Sequence, residues 1–205
     1  MGVFAALGTA LCWAIAARLF RGTGNAFSPL TMNFWKGLIS IAILAVVLVV
    51  VQPTGLSTHA VLWLLLSGLI GIGIGDTCFF KALQSIGDSQ AVLVAETLAP
   101  LFTALFAMAF IGEWITWQQW VGVAVVLFSV DMVIKVRKRS TTHVFATSGY
   151  LYGVGAALCQ AVGAVVSRDI LSAGEIDAAS AAFLRLVGGM VFVVPFIAIT
   201  KTRYM

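Results

Sequence analysis

The 205 residues of this chain are 61% hydrophobic and only 10% charged, with a formal net charge of +4. Soluble domains are about 45–50% apolar and about 25% charged, so this composition excludes an ordinary soluble domain and indicates an integral membrane protein. The basic residues lie between apolar segments and not on one patch, so the positive charge does not indicate binding to nucleic acid.

Seven apolar segments are each long enough to form a membrane-spanning helix. A helix of about 20 residues crosses a hydrocarbon core of about 30 Å, whereas a membrane strand needs about 9–11 residues of alternating polarity, which these segments lack. Because lipid offers no hydrogen bonds to the backbone, the segments are predicted to be helical. The predicted spans run from about Val3 to Phe20, Leu30 to Val51, Ala60 to Phe80, Gln90 to Ile111, Thr116 to Lys135, Phe145 to Arg168, and Ala178 to Thr200.

The basic residues predict how these spans are oriented. One side of the membrane receives Arg18, Arg21, Lys81, Lys135, Arg137, Lys138, Arg139, Lys201 and Arg203. The other side receives only Arg168, together with acidic residues. Since cytoplasmic loops carry the excess of Lys and Arg, the basic side is predicted to face the cytoplasm of a cell (plasma or inner) membrane, with the N-terminus on the opposite side.

An internal repeat is the most informative feature of the sequence. ALCWAIAA at 10–17 matches ALCQAVGA at 157–164, and after a shift of two residues Lys36 corresponds to Arg185. The first copy holds five spans, so the second copy must enter the membrane from the opposite side, which is typical of secondary transporters. We therefore predict a first five-helix repeat at 1–140 and the first two helices of an inverted repeat at 141–205. Doubling the offset predicts a complete protein of about 290–300 residues with ten helices.

The segment from Ala82 to Val133 has a recognisable order of features. Ala82-Leu83 ends one helix, Ala91, Ala95 and Ala99 precede Pro100 in the next, the turn Gly112-Glu113 follows, and then come Gln119 and Gly122. This order resembles the EamA family of the drug/metabolite transporter superfamily. The resemblance implies an all-α integral membrane protein, with about seven transmembrane helices here out of a ten-helix (5+5) inverted-repeat fold around a central cavity. It also implies movement of small organic solutes, often outward.

Charged residues inside the spans are candidates for the site. Each costs about 2.5–3.5 kcal/mol at the middle of a membrane helix, so it should face other helices or a wet cavity. Lys36, Asp76 and Glu96 lie toward the basic side, and Arg185 lies toward the opposite side. We expect Lys36 to pair with Asp76 or Glu96, because opposite charges are cheaper to hold in lipid together than singly. The alternative for Asp76 is an interfacial position from which it snorkels to the headgroups.

Two further candidates are repeat counterparts near the middle of their spans. Trp13 offers a ring face to aromatic or cationic ligands, and Gln160 offers hydrogen bonds to polar ones, although ordinary helix packing would explain both. Pro100 predicts a bend in the fourth span, and the spacing of Gly68, Gly71 and Gly75 predicts close helix packing. The predicted substrate-cavity residues are Trp13, Lys36, Asp76, Glu96, Pro100, Gln160 and Arg185.

These patterns predict a membrane permease or exporter of small organic metabolites or drugs that works by alternating access, with the lipid bilayer and a small-molecule substrate as its partners. No enzyme, cofactor, metal or nucleic acid is predicted, because the chain lacks GxSxG, HExxH and CxxC patterns. One alternative is an inactive or partner-dependent fragment that needs a homo-oligomer or a complementing protein for the missing helices. A seven-helix receptor is less favoured, because the inverted repeat has no place in that architecture.

Overall fold

A computed structural model describes residues 2–23, 26–51, 57–112, 114–138, 147–174 and 176–200. The predicted start of the sixth span at Phe145, the turn residue Glu113, and the basic residues Arg139, Lys201 and Arg203 lie outside these ranges. Regular structure in the described ranges is helical throughout: α1 Gly2–Thr23, α2 Pro29–Val51, α3 Thr58–Gly68, a first π-helix Leu69–Gly75, α4 Asp76–Ile86, α5 Asp88–Phe106, a second π-helix Ala107–Ile111, α6 Trp117–Lys138, α7 Thr147–Ser172 and α8 Ala178–Thr200.

Helices long enough and apolar enough to cross a membrane confirm the predicted fold class of an all-α integral membrane protein. The part of the chain that the structure describes holds five of them: Pro29–Val50, Thr58–Ile86, Asp88–Ile111, Thr147–Ser172 and Ala178–Ile199. The total of seven spans stays a prediction. These helices also form the scaffold of the interior, because α7 packs against α3, α4 and α5, and α8 packs against α2 and α3.

The third predicted span, from Ala60 to Phe80, is too short. The helix continues through α3, the first π-helix and α4 as far as Ile86, and so passes Lys81. Lys81 lies within the continuing helix, and its ammonium lies 4.5 Å from the centroid of the Tyr152 ring on α7, a cation–π contact. The predicted end of the third span at Phe80, chosen because Lys81 follows it, therefore lies six residues before the end of the helix at Ile86.

Glycines bring the backbones of α3 and the first π-helix close to those of α7 and α8. A Cβ atom at Gly68 would overlap the backbone carbonyl of Arg185, and one at Gly188 would overlap that of Leu65. A Cβ atom at Gly163 would lie 3.2 Å from the Cα of Gly71. Association in lipid depends on such close van der Waals contact, because there is no hydrophobic driving force between membrane helices. The close packing predicted from the glycine spacing is confirmed.

Hydrogen bonds between two buried serines strengthen the contact of α3 with α7. The hydroxyl of Ser67 donates to the backbone carbonyl of Gly163 at 2.7 Å and lies 2.8 Å from the hydroxyl of Ser167. Ser167 donates to the same carbonyl at 2.6 Å. Both hydroxyls therefore have partners within protein, as groups away from water require.

The first π-helix is held by a side chain of α2. The amide nitrogen of Asn33 donates to the backbone carbonyls of Ile72 and Gly73, at 2.9 and 3.2 Å, and lies 3.0 Å from the hydroxyl of Thr77. Asn33 is almost completely buried. A π-helix interrupts the regular backbone ladder, and such interruptions are frequent at functional sites. Asn33 therefore supplies donors to the carbonyls of the interruption and fixes α2 against it.

An ion pair joins α2 to the start of α4. Lys36 pairs with Asp76, which is one of the two partners expected for it, and the exposed fractions of the two side chains are 16% and 10%. The carboxylate of Asp76 is buried and paired with Lys36, which favours the expected ion pair over snorkelling to the headgroups. The ammonium of Lys36 also lies 5.8 Å from the centroid of the Phe80 ring.

Replacing Gly68 with alanine tests the backbone contact of α3 with α8. Because the new methyl group would overlap the carbonyl of Arg185, we expect Gly68→Ala to lower the free energy of unfolding by about 3 kcal/mol. Thermal unfolding in detergent measures this. Gly122→Ala on α6 is the matched control, because a Cβ atom there meets nothing within 4 Å. Equal stability of the two variants would contradict the packing.

Variants of the ion pair test whether Lys36 and Asp76 depend on each other. We expect Asp76→Asn to lower the free energy of unfolding by about 3–5 kcal/mol, because it leaves a buried ammonium without a carboxylate. The double variant Lys36→Met/Asp76→Leu should recover most of this loss, since it removes both charges. Asp88→Asn is the control, because the ion pairs of Asp88 with Arg18 and Arg21 involve exposed arginines and exposed pairs contribute at most about 1 kcal/mol. A double variant as unstable as the single one would contradict the pairing.

Candidate functional site

A cavity of about 1030 Å³ lies between the helices. Its wall contains six of the seven predicted residues: Trp13, Asp76, Glu96, Pro100, Gln160 and Arg185. These residues come from α1, α4, α5, α7 and α8, so the cavity is built by residues from both predicted repeats. It also includes residues that sequence analysis did not select, among them Thr9, Gly71, Thr103, Trp114, Thr116, Gln119 and Arg168.

The carboxylate of Glu96 is oriented by Trp13. The indole nitrogen of Trp13 donates to Oε1 of Glu96 at 2.6 Å, which joins α1 to α5 across the cavity wall. The ring of Trp13 stacks on Phe79 with 5.7 Å between centroids, so the indole itself is held in place. An indole N–H donates and cannot accept, and it therefore favours a carboxylate oxygen at this position.

Pro100 lies four residues after Glu96 and also lines the cavity. Proline has no N–H, so the backbone carbonyl of Glu96 lacks the donor that a regular α-helix would supply. The helix nevertheless continues to Phe106, and the hydroxyl of Thr103 donates to the carbonyl of Ala99 at 2.7 Å. About two turns of α5, from Glu96 to Thr103, therefore line the cavity and carry both a carboxylate and a hydroxyl.

Arg185 on α8 extends between the first π-helix and α7. A Cβ atom at Gly71 or Gly163 would lie 3.4 or 3.3 Å from Nη2 of Arg185, so these two glycines leave the space that the guanidinium occupies. Nε of Arg185 is buried without a hydrogen-bond partner among the described residues. Asp76 forms its ion pair with Lys36 and none with this guanidinium in the described ranges.

Lys36 does not line this cavity, although the sequence selected it as a cavity residue. It lines a separate lateral groove of about 390 Å³, together with apolar residues that include Phe20, Phe27 and Trp35. Asp76 contacts Lys36 and lines the cavity, so the ion pair lies between the two spaces. The spacing of charges predicted the partner of Lys36, whereas the face of α2 that carries Lys36 depends on how α2 packs against α4.

Sequence analysis missed one charged residue of the cavity wall and two buried polar residues outside it. Arg168 was used only to orient the spans, although it lies on α7 eight residues after Gln160 and lines the same cavity. Asn33 holds the first π-helix, and nothing in the sequence indicates that a π-helix is present there. Thr97, on α5, has a buried hydroxyl without a hydrogen-bond partner in the described part of the chain.

The chain was compared with known proteins. The model of the EamA-like transporter family matches residues 1–134, which is more than half of the chain. A Sinorhizobium sp. protein named "Uncharacterized transporter in cobO 3'region" is 27% identical over 124 residues, which cover 55% of this chain and 86% of that protein. The residues matched by the family model include α1 to α5 and nearly all of α6, and so they cover the helices that carry Trp13, Asp76 and Glu96. The chain therefore belongs to the EamA-like transporter family and is a multi-pass membrane transporter.

Proposed function

We propose that this protein carries a small organic solute across the membrane by alternating access and binds it in the cavity of about 1030 Å³. The observation that carries the proposal is a cavity of this size whose wall bears charged side chains on membrane-spanning helices. Such charges are rare in lipid and mark substrate pathways, and the volume is at the upper end of sites that take drug-sized ligands.

The internal repeat supports this mechanism. Trp13 and Gln160, which correspond in the repeat, line the same cavity, and α2 packs against α8, the helices that carry Lys36 and Arg185. Inverted-repeat transporters bind solute at the interface of their halves and expose it alternately by rocking one half against the other. We assign residues 1–140 to the first half and 141–205 to the beginning of the inverted second half.

The residues of the cavity take different parts in this cycle. Trp13 and Glu96 form a polar contact between α1 and α5 that a solute can meet directly, and Pro100 gives α5 a point at which it can bend. The wall offers hydrogen bonds, ring faces and charges but no nucleophile with an adjacent base, which favours binding and release over catalysis. Outward movement across the cell (plasma or inner) membrane is the first direction to test.

A second candidate is a carrier that works only with a partner. Nine residues of α7 are buried, whereas Ala17 is the only buried one among the side chains of α1 that the structure describes. Since α1 and α7 correspond in the repeat, the difference leaves a face of α1 that lipid or a further protein surface would cover. A second copy of this chain or a complementing protein with apolar helices would supply that surface.

Counterflow in proteoliposomes tests the proposed transport. Vesicles that contain the purified chain and an unlabelled small solute should accumulate the same labelled solute above its external concentration, because a carrier exchanges solute and a leak does not. Trp13→Phe should reduce the initial rate about tenfold, because the variant loses a hydrogen bond to a charged group. Trp63→Phe is the matched control, since Trp63 is an exposed residue of α3 outside the cavity wall.

The outcome separates the two candidates. Counterflow by the chain alone, sensitive to Trp13→Phe and not to Trp63→Phe, supports the carrier. Counterflow that occurs only after a partner is added supports the second candidate. If a panel of anionic, neutral and cationic solutes gives no counterflow under either condition, transport through this cavity is contradicted.

A further inference from the structure

We propose that Arg185 is the anion-binding group of the cavity and that the solute it recognises is a small organic monocarboxylate. This inference rests on the transport function proposed above, because it names the class of solute for the same cavity. Three observations support it. Arg185 has a donor without an acceptor in the described ranges, its guanidinium lies between two glycines of neighbouring helices, and the carboxylates of the cavity wall bond to other residues.

The guanidinium of Arg185 has donors without acceptors. A guanidinium carries five N–H donors and stays charged under all ordinary conditions. In the described part of the chain it forms no ion pair, and its Nε is buried without a hydrogen-bond partner. Nε has no surface open to the cavity, whereas the accessible part of the side chain lines it, so a bound anion would be the acceptor for that part.

The position of the guanidinium is fixed by backbone contacts. Its Nη2 lies where Gly71 and Gly163 face each other, and the Cβ of any other residue at either position would come within 3.4 Å of it. Ser67 and Ser167 add hydrogen bonds beside this contact. Because helix backbones and not loops surround the guanidinium, it is held in place before a ligand arrives, which lowers the entropy that binding must overcome.

Carboxylates in the cavity wall do not neutralise this charge. Asp76 is paired with Lys36, and Glu96 accepts a hydrogen bond from Trp13. Arg168, the other cation of the wall, is exposed and has interactions of its own. Arg185 is therefore the cation of the wall whose hydrogen-bonding capacity is unused within the described residues.

The number of negative charges on the ligand follows from its neighbours. Asp76 and Glu96 both lie in the wall of the same cavity as Arg185. A dianion such as a phosphate monoester would bring two negative charges to one guanidinium beside the carboxylate of Glu96, whereas a carboxylate matches that guanidinium in charge and can accept its N–H bonds. The apolar wall near Pro100 and Ala104 would contact the body of the solute.

Binding of three ligands with the same ring tests the inference. The probes are benzoate, benzamide and phenyl phosphate, and their affinities for the purified full chain in detergent are measured by equilibrium dialysis. Benzoate should bind at least about tenfold more tightly than benzamide, because only the carboxylate forms charge-assisted hydrogen bonds with the guanidinium. Phenyl phosphate should bind more weakly than benzoate.

Variants of Arg185 assign the preference to this side chain. Arg185→Gln should weaken benzoate binding at least about tenfold and leave benzamide binding unchanged, because only the charged donors are lost. Arg185→Lys should fall between the two, since it keeps the charge but loses the planar pair of donors. Arg18→Gln is the matched control, because Arg18 lies at the exposed end of α1 outside the cavity. If Arg185→Gln does not fold, Arg185→Lys carries the test through the ratio of benzoate to benzamide affinity.

Three results would overturn the inference: equal affinity for benzoate and benzamide, unchanged benzoate binding in both Arg185 variants, or tighter binding of phenyl phosphate than of benzoate. Its failure is distinguishable from failure of transport. Counterflow of a neutral or cationic solute without benzoate binding would overturn the anion site and leave the carrier intact. Benzoate binding that depends on Arg185, without counterflow of any solute, would overturn the carrier and leave the anion site.

Discussion

The contact of α3 and the first π-helix with α7 and α8 is the constraint on which the rest of the structure depends. A lipid bilayer gives no hydrophobic driving force between helices, so their association requires backbones that come close together. Gly68, Gly71, Gly163 and Gly188 make this approach sterically possible. The same approach places the guanidinium of Arg185 beside Gly71 and Gly163, so the packing that stabilises the helices also builds the cavity wall.

Charged groups in the interior follow a simple division. Both carboxylates of the cavity wall have nitrogen partners from the first predicted repeat, Lys36 for Asp76 and Trp13 for Glu96. Arg185, from the second predicted repeat, has none in the described residues. The carboxylates of the first repeat therefore have hydrogen-bond donors within that repeat, and the second repeat brings to the cavity a guanidinium without acceptors among the described residues. A solute bound to it would contact both repeats at once.

Much of this arrangement could be read from the sequence, and the reasons for the successes and failures are physical. Composition indicated a helical membrane protein because backbone groups in lipid must be satisfied within their own segment. The cost of isolated charges predicted a partner for Lys36. The sequence could not show that Lys36 faces a lateral groove, because the rotation of α2 depends on distant contacts such as that of Asn33 with Ile72. The position of the Arg185 guanidinium could not be predicted either, because it depends on Gly71 and Gly163, which are far from Arg185 in the chain.

The π-helix at Leu69–Gly75 has a consequence for how this region tolerates changes of length. A π-helix forms hydrogen bonds over five residues and not four, so it accommodates one residue more than regular α-helical pairing would. Deleting one residue of the glycine-rich segment would restore regular α-helical pairing and leave α3 and α4 in about the same relative orientation, because the π-helix already takes up the extra residue. Asp76 would still face Lys36, and the change would fall on the carbonyls of Ile72 and Gly73, to which Asn33 donates. A deletion in a regular α-helical part of the same span would instead turn everything after it by about 100°.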